Sequence, residues 1–335
     1  MMVPSRRQID STRSIVEWYF ETHHGQAGDV GMIGTFCEPR AVGHFAVEQA
    51  ALERGDSATL FRLFVTVAMF QRLRDALVMN ILRSISARDV TELTSVDALL
   101  SLSTDCACQL PRSNSDLIKS CDLTKDGQKR GSCSVAPAIP CHLKRHTELL
   151  RRYGHFGKMP TSAALVVGEL GGDMEALRAR VFASEDDPLA RAQGLEEALS
   201  RVWRVSEKIA SMYLSLVSAP CMGLVAPPWG DGVDWTWFVV VDRNVDLFLE
   251  SIGYSGTGTY SARRAFIRDI AERIDLRTID RRLPTYHPRL VQQAMYLFMS
   301  ASNRRASADD CGREGSRVCR SCPRLRQERC PVRVV

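Results

Sequence analysis

A mainly α-helical fold is predicted by three features of the sequence. Apolar residues recur three and four apart through several long stretches. Cap-forming residues precede those stretches, and strand-like composition is confined to one run, DWTWFVVV at 234–241. The composition, 45% hydrophobic and 25% charged over 335 residues, is that of a globular protein with enough chain for two modest domains.

Residues 1–55 hold Gly25, Gly28 and Gly31 close together and read as a loose accessory segment. Their opening, MMVPSRRQID, is polar and basic, unlike a secretory signal. Residues 56–103 read as the first helices of a domain. Within them 59–86 lack glycine and proline, and Leu60, Phe64, Val67, Phe70, Leu77, Ile81 and Ile85 keep helical spacing, which predicts one long buried helix or two in sequence. Residues 104–146 break the pattern with Cys, Ser, Lys and Asp and look like an insertion.

Helical periodicity returns over 147–286. Gly194 precedes LEEALSRV, then WRVS, then EKIASMYLSLV, which reads as helix, tight turn, helix. A loop with Pro227, Pro228, Gly230 and Gly232 leads to the 234–241 run and to Asp242, which opens a helix with the apolar face Val245, Phe248, Leu249 and Ile252. Ser261 is positioned to cap ARRAFIRDIAERI, and His287-Pro288 opens RLVQQAMYLFMSAS at the head of a last region, 287–335. No apolar run approaches the roughly 20 residues that a spanning helix needs. A cytoplasmic, nucleoid-associated protein with no membrane partner is expected.

The 11 cysteines point to metal ligation or catalysis before disulfides in a reducing compartment. Four of them, in CGREGSRVCRSCPRLRQERC, are separated by seven, two and seven residues. Thiolates are soft ligands, and four on one loop suit either a [4Fe–4S] cluster or a tetrahedral zinc. Five more, Cys106, Cys108, Cys121, Cys133 and Cys141, lie with His142 and His146 in the 104–146 segment. They are ligands enough for a second, zinc site there; the other reading is a basic insertion carrying thiols.

Charge is concentrated at the same end of the chain. From Asn303 onward there are nine arginines, among them Arg304, Arg305, Arg317, Arg320 and Arg324, against four acids. That surplus of five equals the net charge of +5 for the whole chain. Guanidinium groups pair bidentately with phosphate oxygens, so the tail is a candidate nucleic-acid surface, with a solvated arginine-rich end as the other reading.

The helix–turn–helix, the aspartate beyond a proline- and glycine-containing loop, and the four-cysteine tail occur in that order. Together they resemble the endonuclease III and adenine-glycosylase branch of the helix-hairpin-helix DNA glycosylases, over 60–102 and 157–330, with 104–146 as an insertion. The resemblance implies a helix-hairpin-helix six-helix barrel domain plus a helical iron–sulfur cluster domain. Cys311, Cys319, Cys322 and Cys330 would hold a [4Fe–4S] cluster, with zinc as the alternative, in a loop longer on both outer sides than is usual in that family. The partner would be double-stranded DNA. The family hairpin, leucine-proline-glycine-valine-glycine, presents its amides to a DNA phosphate. In VWRVSEKIA, Arg204 and Ser206 stand where the glycines would be, and Lys208 stands where bifunctional members carry a lysine.

The implied activity is base-excision repair. A damaged or mismatched base is flipped out of the duplex into a pocket between the two domains, and its N-glycosidic bond is hydrolysed. Asp242 would stabilise the oxocarbenium-like transition state, and Lys208, if lyase activity accompanies excision, would attack C1′ to give a Schiff base. Trp229, Trp235 and Trp237 would either stack on the base or belong to the core. Two other readings are a non-catalytic iron–sulfur or zinc DNA-binding protein of the same fold, suggested by the replaced glycines, and an unrelated zinc-dependent nucleic-acid module.

Overall fold

The computed structural model describes residues 3–25, 32–104, 113–121, 123–126, 129–133, 141–151, 154–300, 303, 328 and 330. Among them the chain is mainly helical, and the only sheet is an antiparallel pair, Leu123–Asp126 with Lys129–Cys133. No helix among the described residues is long and apolar enough to cross a membrane.

The chain divides into two units, a continuous one over Thr35–Trp237 and one assembled from both ends, Met1–Gly34 and Phe238–Val335. This partition differs from the expected one, because 1–55 and 147–286 each straddle a unit boundary. The reason is the helix Arg6–Thr22, which the cluster of glycines downstream of it had masked. Ser5 starts it with a capping box: its hydroxyl accepts from the Gln8 amide while the Gln8 side chain accepts from the Ser5 amide. Its apolar side chains Ile15, Val16, Trp18 and Tyr19 are buried. The helix packs on Pro288–Met299, where Trp18 meets Phe298 edge-on at 5.6 Å. Helices Arg243–Ser251 and Tyr260–Ala271 pack on Pro288–Met299 as well, so that helix is the centre of the end-built unit.

Caps in this unit follow local chemistry with one correction. Thr259, not Ser261, caps the helix Tyr260–Ala271, its hydroxyl accepting from Ala262 N at 3.3 Å. His287 caps Pro288–Met299 through Nδ1, which accepts from Leu290 N at 3.3 Å, and it is buried rather than on the surface.

In the continuous unit, the apolar run 59–86 becomes two helices, Ser57–Met69 and Asp75–Arg83. They part at a polar stretch in which Arg72 adopts φ +61°. Ser57–Met69 is capped by Asp56 and is buried nearly throughout, packed on Glu207–Ser218 and Met174–Ser184. Aromatic rings carry the packing: Phe64 meets Tyr213 at 5.2 Å, and Tyr213 meets Trp229 at 5.9 Å, both edge to face. Trp229 is therefore core, its indole N–H donating to Glu175 at 2.6 Å. The run 234–241 contains a short 3₁₀ turn, Trp235–Trp237, and no strand.

One turn has no room for a side chain. Gly43 sits at φ +62°, and a Cβ there would lie 2.8 Å from Arg83 Cα. Both the left-handed backbone and the collision oppose any substitution. Gly43→Ala is expected to lower the unfolding free energy by about 2 kcal/mol in urea titrations. Gly34→Ala, whose added carbon meets nothing within 4 Å, should produce no loss.

Candidate nucleic-acid interface and associated sites

Helices Pro188–Ser200 and Glu207–Ser218 pack against each other and are joined by residues 201–206. Asp187 caps the first, accepting from Ala190 N at 2.8 Å, and Pro188 occupies its opening position. Between the helices Val205 N donates to Val202 O at 3.0 Å, closing a β-turn with Trp203 and Arg204 at its centre. Arg204 has φ +67°. A left-handed third residue is the mark of a type II turn, where glycine is at ease. An L side chain in that conformation costs about 1–2 kcal/mol. The chain thus keeps a glycine backbone at Arg204 without a glycine.

Ser206 is different. It is extended, at φ −109° and ψ 171°, and needs no glycine. It caps Glu207–Ser218 without a side-chain hydrogen bond, so its exposed hydroxyl is left beside the first-turn amides. Arg204 is exposed with its guanidinium 5.1 Å over the Trp203 ring. Lys208, in the first turn, is half-buried and makes no hydrogen bond or ion pair among the described residues.

A polar network behind the turn holds it in place. Trp203 N donates to Ser162 Oγ at 2.7 Å, and Ser162 Oγ donates to Asn114 Oδ1 at 2.6 Å. Asn114 Nδ2 donates to Arg201 O at 2.9 Å, while its own amide donates to Glu169, which also pairs with the Arg201 side chain. Asn114 and Ser162 are both buried. A buried polar group deprived of its partner costs about 1–3 kcal/mol, so these bonds together can hold one residue in a strained conformation. Lys158, also buried, places its ammonium group 5.1 Å from the centroid of the Trp203 ring. Sequence reasoning missed Asn114 and Ser162, since neither sits in a motif. It also took 104–146 for an insertion, whereas helix Asn114–Ser120 packs on Lys158–Glu169 and supplies the anchor.

Asp242 caps helix Arg243–Ser251, its Oδ1 accepting from Val245 N at 2.9 Å. The strand-like residues before it are pinned by Tyr260, whose hydroxyl donates to Val239 O at 2.8 Å and accepts from Val241 N at 3.3 Å. One turn along lies a second carboxylate, Asp246, paired with Arg263. Burial raises the Asp246 pKa against the pull of Arg263, and the charge of Asp242 adds to the rise. The i,i+4 spacing of the two acids was the signal for Asp246 in the sequence. Lys208 belongs to the continuous unit and Asp242 to the end-built one.

Of the tail, Cys311, Cys319 and Cys322 and the arginines Arg304, Arg305, Arg317, Arg320 and Arg324 lie outside the described residues. Cys330 is half-buried and lines an open cleft of about 520 Å³ with Arg6, Arg7, Asp10, Glu250 and Glu328. In the central segment, Cys106 and Cys108 also lie outside the described residues. Cys121 and Cys141 pack on one small core with Leu117, Leu143 and Leu165. Burial brings the His142 pKa down to about 4, with the nearby His146 adding to the fall. Glu92 is brought to about 2, first by its hydrogen bond with His146. Among the described residues no three metal-ligating side chains already converge.

Comparisons with family models, with curated proteins and with solved structures find no match to this chain.

The strained turn can be tested directly. Arg204→Gly should be more stable than Arg204→Ala by about 1 kcal/mol in denaturant titrations, because only glycine escapes the left-handed penalty. Equal stabilities would mean that position 204 is not left-handed.

Proposed function

We propose that this protein is a DNA base-excision glycosylase of the helix-hairpin-helix type, acting on double-stranded DNA. The observation that carries the reading is the left-handed Arg204, which gives the turn a glycine-like backbone at the position where the family's hairpin has glycine. The exposed Ser206 hydroxyl and the opening amides of Glu207–Ser218 supply donors for a phosphate, and the Arg204 guanidinium supplies charge in place of close backbone approach. The six-helix barrel and the cluster domain of that family belong to the same proposal.

Asp242 is assigned to the chemistry of the sugar. Cleavage of the N-glycosidic bond develops positive charge there, and a carboxylate fixed by its Val245 amide bond can oppose that charge without reorganising. Lys208 is the nucleophile if the enzyme is also a lyase: its amine attacks C1′, the base leaves with a proton from the amine, and cleavage of the C1′–O4′ bond opens the sugar to a Schiff base. The donor set of the tail, four thiolates, fits a [4Fe–4S] cluster, held by Cys311, Cys319, Cys322 and Cys330. When bound, the cluster would hold the arginine-rich loop in shape.

A screen of duplexes, each with one damaged or mismatched base, should yield abasic sites on at least one substrate. On that substrate Asp242→Asn should bind normally and lose at least about 100-fold in excision rate. Borohydride trapping should give a covalent adduct that Lys208→Gln abolishes. Salt-sensitive duplex binding with no abasic product on any substrate would favour the non-catalytic reading, to which the side chains in the turn also conform. Cys319→Ser should remove the iron and sulfide of the purified protein; full iron content in that variant would overturn the cluster assignment.

A further inference from the structure

Two imidazole nitrogens on the helix His142–Leu149 are buried with no hydrogen-bond partner among the described residues, His142 Nε2 and His146 Nδ1. An orphaned buried polar atom costs about 1–3 kcal/mol, so two on one helix face call for an explanation. The His146 side chain is fully buried, and its other nitrogen lies 2.8 Å from Glu92 Oε1. The carboxylate accepts a hydrogen bond from Nε2–H, which leaves the lone pair of His146 on Nδ1, the atom without a partner among the described residues. A carboxylate that fixes the far nitrogen of an imidazole is the arrangement that orients a metal-bound histidine.

The ring geometry fits a shared ion. The centres of the two imidazoles are 5.5 Å apart. Two imidazoles bound tetrahedrally to one zinc, each with a Zn–N bond near 2 Å, have centres roughly 5 Å apart. Three residues separate the histidines, a spacing found in the nitrogen half of Cys₂His₂ sites. Cysteines precede the pair in the chain. Cys141 is the residue that caps this helix, and Cys133 ends the strand Lys129–Cys133, which packs on it.

We propose that His142, through Nε2, and His146, through Nδ1, form the nitrogen half of a zinc site, completed by cysteine thiolate, that of the neighbouring Cys141 first. Binding releases one proton to solvent for each coordinating thiol and changes no oxidation state. The ion staples the segment that carries Asn114, and thereby supports the anchor of the turn at Trp203. The proposal is independent of the glycosylase reading.

The test uses the full-length protein with zinc and iron counted separately. About one zinc per chain is expected, and cobalt in its place should show tetrahedral d–d bands with thiolate charge transfer. His142→Gln and His146→Gln should each lose most of the zinc and leave the iron unchanged, and Cys141→Ser should weaken the charge-transfer band. His142→Gln is the less buried replacement, and circular dichroism will show that it keeps its helices. Zinc content unchanged in a folded His142→Gln variant overturns the proposal. So does zinc or cobalt that is absent from the wild-type chain, or that disappears only when Cys311 and Cys322 are replaced by serine.

Discussion

The hydrogen bonds that tie Arg201 O and Trp203 N, at the entry to the 202–205 turn, to Asn114 and Ser162 are the constraint on which the proposed interface depends. A left-handed arginine costs about 1–2 kcal/mol. It persists here because Arg201 O and Trp203 N are both tied to buried side chains, so that relaxing Arg204 would break bonds whose groups have no water to turn to. The turn in turn sets where the helix Glu207–Ser218 begins, and so where Ser206, its amides and Lys208 stand. The proposed DNA contact is in this sense built from behind, by residues that would never touch the nucleic acid.

The same logic links the central segment to function. Its helix Asn114–Ser120 brings the anchoring asparagine, and its small apolar core of Leu117, Leu143 and Leu165 fixes that helix on Lys158–Glu169. Stability in this part of the molecule comes from few apolar contacts and several polar ones. A metal ion is a natural supplement where so little surface is available to bury. The end-built unit is held differently, by aromatic packing of Trp18 and Phe248 on Phe298, with a polar inner face where Arg289 donates to Gln292 and Gln293 at 2.8 Å.

Local signals in the sequence were legible and long-range ones were not. The hairpin helices, the His287-Pro288 start and the cap at Asp242 could be read because capping and periodicity involve residues three or four apart. Arg204 gave no sign of its backbone conformation, since arginine is not a residue that marks a left-handed turn. Asn114 was invisible because the carbonyl it holds lies 87 residues away. The helix Arg6–Thr22 was overlooked because three glycines just after it dominated the composition of the segment, although its capping box was present in the letters Ser5 and Gln8. The orphaned nitrogens of His142 and His146 could not be inferred from spacing, because burial decides whether a histidine lacks a partner.

The unit formed by the two ends of the chain has a consequence for biosynthesis. The apolar side of Arg6–Thr22 leaves the ribosome long before the helix that covers it, Pro288–Met299. Until that helix emerges, that side must remain uncovered or be shielded by a chaperone, while Thr35–Trp237 already has every segment it needs. Nascent chains stalled before residue 288 should therefore carry a finished middle and a sticky leading end.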